Sequence, residues 1–192
     1  RLSMDSISIF DIFKLSIGPS SSHTLGPWKA ALDFILEIEN LKIDKLKIEL
    51  YGSLSKTGKG HATDKAIQLG LLGFDPEMIE TDKIEVIVAK LESSKRILIG
   101  GNRIVFFSQD DIIFKNEYKL GHPNTVVFEG YFKNEIIIKR TYFSVGGGFI
   151  EKEGKKEVSR KNKLPYPIKK TSDLRKYIQQ TNLTIPQIVM EN

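Results

Sequence analysis

The 192-residue chain holds three histidines, and each stands in a polar stretch beside glycine or small hydroxyl and amide residues. His23 lies in "SSSHT", His61 in "GKGHATD" and His122 in "GHPNT". Imidazole is the side chain best suited to taking a proton near neutral pH. Loops of this kind carry chemistry while a rigid scaffold aims them. The first of these stretches is "GPSSSHT", residues 18–24, directly ahead of an apolar run. One hydroxyl is enough to cap a helix, so five hydrogen-bonding side chains exceed that need. A helix start also offers free N–H groups and a positive dipole end. A carboxylate or a phosphate is therefore expected at Ser20, Ser21, Ser22, His23 and Thr24, with an overbuilt helix cap as the alternative.

The second stretch, "SLSKTGKGHATD" over 53–64, is not a phosphate loop. That pattern needs Ser or Thr after Gly-Lys, and here Gly58-Lys59-Gly60 runs into His61. What remains is a turn that lets backbone approach a ligand, with Lys56 and Lys59 as cations and His61 as proton acceptor. His61 is expected to start a helix whose positive end disfavours the imidazolium. Asp64 is expected to cap that helix, with orientation of His61 as the lesser alternative. In "GHPNT" the proline stiffens the loop and Asn124 offers an amide to a polar ligand; an ordinary turn fits equally well. "YFSVGGGFI" places three glycines in a β-rich region, which implies close backbone approach by a neighbouring element or a ligand.

The elements that must position these loops follow from periodicity. "WKAALDFILEIE", 28–39, carries a broad apolar stripe of helical period. "KLKIELYGS" alternates as a half-buried strand, and "KAIQLGLLGF" is a helix with glycines for close packing. "TDKIEVIVAKLESS" is β-branched, yet Ile84, Ile87, Val88 and Leu91 fall at helical spacing; helix is expected, with Thr81 and Asp82 as caps and a strand as the alternative. From 96 to 149 short β-rich runs alternate with turns and predict an antiparallel sheet. The class is α+β, an antiparallel sheet with helices packed on it. One domain is expected over 1–150. "FIEKEGKKEVSRKNK" opens a charged connection, and a helical linker then runs to 192, with one helix capped near Thr171 or Ser172 and a second beginning near Thr184 or Pro186. That last helix reaches the final residue, so the sequence reads as cut in mid-protein; Met4, preceded by Arg-Leu-Ser, reads as following a trimmed start.

Composition excludes several classes. The net charge of +5 is spread among acidic residues, so no basic face argues for nucleic acid. No run of about eighteen apolar residues argues for a membrane. The N-terminal apolar stretch is broken by Asp11 and Lys14 and lacks a cleavage site, so a signal peptide is rejected and a cytoplasmic protein is expected. With no cysteine, these residues offer no disulfide, no thiol nucleophile and no thiolate ligand for zinc or an iron–sulfur cluster.

"SIFDIFKLSIGPSSSHTLGP", "GSLSKTGKGHATDKAIQLGLLG", "GHPNT", "RTYFSVGGGFI" and "LPYPI" together resemble the N-terminal β domain of the iron–sulfur-dependent bacterial L-serine dehydratases, single-chain type. The resemblance implies a fold like the allosteric substrate-binding domain of some phosphoglycerate dehydrogenases. It implies L-serine as substrate, a following cysteine-bearing α domain that holds a [4Fe–4S] cluster acting as Lewis acid, and a homodimer. No cluster ligand would lie in this chain, and the chain alone would be inactive. Under this reading His61 is the base, and Ser20, Ser21, Ser22, His23, Thr24, Lys56, Thr57, Gly58, His122 and Asn124 bind the substrate, with His23 and His122 as alternative bases. The rival from another class is a regulatory module that binds a small anion or amino acid and performs no chemistry. A pyridoxal-phosphate dehydratase is a weaker rival, since only its lysines are present.

Overall fold

The computed structural model describes residues 20–101, 103–118, 121–154 and 164–192. Residues 20–154 belong to one compact unit and 164–192 to a second. The first unit runs α1 (Leu25–Glu37), β1 (Lys45–Tyr51), α2 (Gly52–Thr57), a 3₁₀ turn (Gly58–His61), α3 (Thr63–Leu71), a 3₁₀ turn (Thr81–Lys83) and α4 (Ile84–Ser94). β2 (Arg96–Ile99), β3 (Arg103–Phe106), β4 (Ile112–Phe114), β5 (Asn124–Phe132), β6 (Glu135–Gly146) and β7 (Phe149–Lys152) follow.

The strands form one sheet in the order β2-β3-β1-β5-β6-β7, with β4 also paired to β1. β1 and β5 pair antiparallel from Lys45↔Tyr131 to Tyr51↔Thr125. On its other edge β1 meets β3 at Lys45↔Phe106 and β4 over Ile48–Leu50, both parallel. The α+β class holds, but the sheet is mixed rather than wholly antiparallel. The chain leaves β1, crosses through three helices and the β2–β3 hairpin, and comes back to β1 in the same direction.

Alternation puts Leu46, Ile48, Leu50, Val126, Phe128 and Tyr142 on one face, where they pack with Ala30, Ala31, Phe34 and Ile38 of α1 and its end. Phe34 stacks on Phe128 at 5.0 Å, and Phe128 meets Tyr142 edge-on at 5.6 Å. A second cluster joins Trp28, Ala66, Leu69, Ile84 and Val88. Gly70 permits the α1–α3 approach, since a Cβ there would stand 2.5 Å from the Trp28 carbonyl oxygen. The 84–94 segment is a helix, as its spacing predicts, although neither Thr81 nor Asp82 is its cap.

Charged groups tie α1 to the sheet. Tyr142 donates to Asp33 at 2.7 Å, Arg140 donates to Glu37 at 2.8 and 2.7 Å, and Lys152 reaches both carboxylates. Lys152 lies on β7, within the stretch expected to be a solvated connection. Its charge is spent on α1 instead, and Phe149–Lys152 pairs with β6. On the opposite face Glu49 and Glu129 are buried among Lys47, Lys115, Lys139, Tyr51 and Tyr131.

In the second unit α5 spans Thr171–Thr181 and α6 Ile185–Glu191. Neither Thr171 nor Ser172 caps α5; the Asp173 carboxylate reaches back to accept the N–H groups of Lys169 and Lys170, just ahead of the helix. Thr184 and Gln187 close a capping box at α6. No described helix is long and apolar enough to cross a membrane.

Candidate functional site

The serine-rich turn does not cap α1. Thr24 is the residue at that position, and its hydroxyl donates to the Ser20 carbonyl at 2.7 Å. Ser20 Oγ and Ser22 Oγ lie 3.2 Å apart, at 3.3 and 3.0 Å from His23 Nδ1. Ser21 Oγ has no hydrogen-bond partner among the described residues. Two hydroxyls are therefore committed to an imidazole, and one remains open beside the start of a thirteen-residue helix.

His23 is gripped from the other side as well. Its Nε2 lies 3.0 Å from Ser53 Oγ, and its carbonyl accepts the Thr63 hydroxyl at 2.5 Å. The His61 ring stands 5.0 Å away, centroid to centroid. Burial, and then the charge of His61, hold His23 below the ordinary imidazole range. His61 differs from its expected setting. It ends a 3₁₀ turn, Ala62 follows in the left-handed region at φ 55°, and α3 starts only at Thr63. His61 Nδ1 donates to the Thr57 carbonyl at 2.8 Å, because a carbonyl can only accept. Nε2 has no partner among the described residues. Asp64 neither caps α3 nor touches His61; it accepts from the Lys65 amide and from Gln109.

Of the basic residues, Lys56 donates to the Tyr118 hydroxyl at 3.1 Å and lies over its ring, and Lys59 lies over Phe114. Gly58 is buried against Thr63 and Phe114. His122 Nδ1 accepts the Asn124 amide at 3.1 Å, and the Asn124 side chain donates to the Ser144 carbonyl at 3.3 Å. This loop reaches the others through backbone: Asn124 bridges to Gly52, and Ser53 N–H donates to the Pro123 carbonyl. The triple glycine begins two residues after Ser144, and Gly148 is closed on by Leu25 of α1, a neighbouring element. Ser144 itself abuts Gly26. The three histidine-bearing stretches and the triple glycine thus form one connected patch.

Residues 8–155 match the serine dehydratase beta chain family. The chain belongs to that family. It is similar to L-serine dehydratase 1 of Escherichia coli, with 36% identity over 97% of this chain and 43% of that protein. The L-serine dehydratases of Streptomyces coelicolor (36%) and Helicobacter pylori (34%) match over the same shares. The chain thus spans under half the length of these curated relatives.

Within this beta-chain patch, residue types alone did not single out Ser53, Thr63 or Ser144. Ser53 opens the motif that contains His61, and its position one residue after a glycine was the available signal. The part of the family motif ahead of Ser20 lies outside the described residues. The donor set does not fit an iron–sulfur cluster: the chain has no cysteine, and among the described residues no three His, Asp or Glu side chains gather to hold a metal.

Proposed function

We propose that this chain is the β portion of an L-serine dehydratase and supplies substrate-binding and acid–base groups for converting L-serine to pyruvate and ammonia. The reading rests on the family membership and on one observation. Thr57 pins the proton of His61 on Nδ1, which leaves Nε2 basic and open, 5.0 Å in ring separation from the serine-bound His23.

In this reading the 20–24 turn holds the carboxylate, with Ser21 Oγ and the start of α1 facing it. His23, Lys56, Thr57, Gly58, His122 and Asn124 complete the substrate-binding set. His61 Nε2 takes the α-proton. Loss of that proton and of the β-hydroxyl leaves 2-aminoacrylate, which isomerises to an imine and hydrolyses to pyruvate and ammonia. Ligands for a [4Fe–4S] cluster would come from a cysteine-bearing domain of the longer protein, working in the cytoplasm as a homodimer.

The test is pyruvate release by the full-length protein, assembled anaerobically with iron and sulfide. L-serine should be deaminated. A cluster-loaded protein that binds L-serine without forming pyruvate would overturn the proposal and leave the effector-binding module.

A further inference from the structure

Ser53 makes three connections, each to a different histidine-bearing stretch. Its hydroxyl lies 3.0 Å from His23 Nε2. Its N–H donates at 2.8 Å to the carbonyl of Pro123, the residue after His122. Its carbonyl accepts the Thr57 hydroxyl at 3.0 Å, and the Thr57 carbonyl in turn holds His61 Nδ1 at 2.8 Å. Gly52 makes the convergence sterically feasible. Its φ is +60°, and a Cβ there would stand 2.2 Å from the Pro123 carbonyl oxygen.

His23 needs such a contact. Ser20, Ser22 and the ring itself lie within four residues of one another, so their hydrogen bonds fix the ring only against its own turn. The bond to Ser53 crosses 30 positions of sequence and is the one that orients the imidazole relative to α2. Resting on the reading of this patch as the serine site, we infer that Ser53 is a positioning residue. Its hydroxyl sets the plane of the His23 ring, and its backbone ties the His61 and His122 stretches to that ring. It touches no reacting atom and acts through His23.

Ring-nitrogen NMR of this chain tests the inference without reference to turnover. Ser53→Ala should move the His23 Nε2 and Nδ1 resonances, because the ring loses its partner on one side. His122 should keep its resonances, since Ser53 meets that loop through its backbone alone. Ser53→Thr, which keeps the hydroxyl, should restore the His23 pattern. Should Ser53→Ala not fold, Ser53→Cys, nearly isosteric and a poorer hydrogen-bond partner, is read the same way. His23 resonances identical to wild type overturn the inference. In the full-length enzyme Ser53→Ala should raise KM for L-serine roughly two- to tenfold, the equivalent of one lost neutral hydrogen bond, with a smaller change in kcat. Displaced His23 resonances with unchanged KM would keep Ser53 as the residue that positions His23 and would remove His23 from the serine site.

Discussion

His61 Nδ1 lies 2.8 Å from the carbonyl oxygen of Thr57, and the carbonyl has no proton to give. Of the two neutral tautomers, this contact selects the one with the proton on Nδ1 and the lone pair on Nε2. His23, 5.0 Å away, has hydroxyls on both ring nitrogens. Under the proposed function, His61 is the imidazole that accepts a proton and His23 the one that orients the ligand.

In the full-length enzyme His61→Asn should lower kcat by about 10²–10⁴, the usual contribution of a general base, with much less change in KM. Proton exchange at the α-carbon of L-serine should fall with it. His23→Asn should act mainly on KM. The reverse split, with turnover lost in His23→Asn and near-normal in His61→Asn, assigns the base to the serine-rich turn.

Ser21 separates binding from folding. Its hydroxyl bonds to nothing among the described residues, so Ser21→Ala should change the stability of this chain by less than about 0.5 kcal/mol. Affinity of the complete enzyme for L-serine should nevertheless weaken about ten- to a hundredfold, as expected when a charged group loses a hydrogen bond worth roughly 1.5–3 kcal/mol. Calorimetric melting and equilibrium binding check the two halves. Unweakened affinity would return the turn to a purely structural role.

The histidine stretches were legible because residue type and glycine context are local. Helices and strands were legible for the same reason: Ile84, Val88 and Leu91 carry a period that β-branching does not cancel. The parallel pairing of β1 with β3 and β4 was not, because register between distant segments leaves no local mark. β7 was hidden by its charges, whose partners, Asp33 and Glu37, lie more than a hundred positions away. The left-handed link at Ala62 was also invisible, since alanine seldom adopts it and no glycine announced it. The convergence on Ser53 is tertiary, joining residues 30 or more positions apart, and leaves no local mark in the sequence.

Gly26 and Ser144 should behave as a coupled pair. A Cβ on Gly26 would stand 2.0 Å from Ser144 Oγ and 2.9 Å from its Cβ. Gly26→Ala should destabilise the chain by about 1–3 kcal/mol through overpacking. Ser144→Gly in the same chain should recover part of that loss. Urea denaturation of both single variants and the double variant measures the coupling. Strict additivity would mean that the two residues do not press on one another.

Acid should weaken the fold through two carboxylates. Hydrogen bonds from Arg140, joined by Lys152 and opposed by burial, hold Glu37 at about 2. Burial pushes Glu49 up, but hydrogen bonds from Lys47, Tyr51 and Lys115 and the charge of Lys47 outweigh it, and it too sits at about 2. In the unfolded chain both return to 4.5. Between these values the unfolded state binds more protons, so stability rises with pH across that window. Each contribution is complete above about pH 5, fades as pH falls through 4.5 and is gone near 2. Partial exposure screens the Glu37 pairs, which limits that residue to roughly 1–2 kcal/mol. Urea midpoints measured from about pH 7 to about pH 3 should decline, and Glu37→Gln should flatten the decline while lowering the neutral-pH midpoint. Glu37→Gln with a neutral midpoint and an acid limb equal to those of wild type would show that α1 is not held to β6 and β7 by this carboxylate.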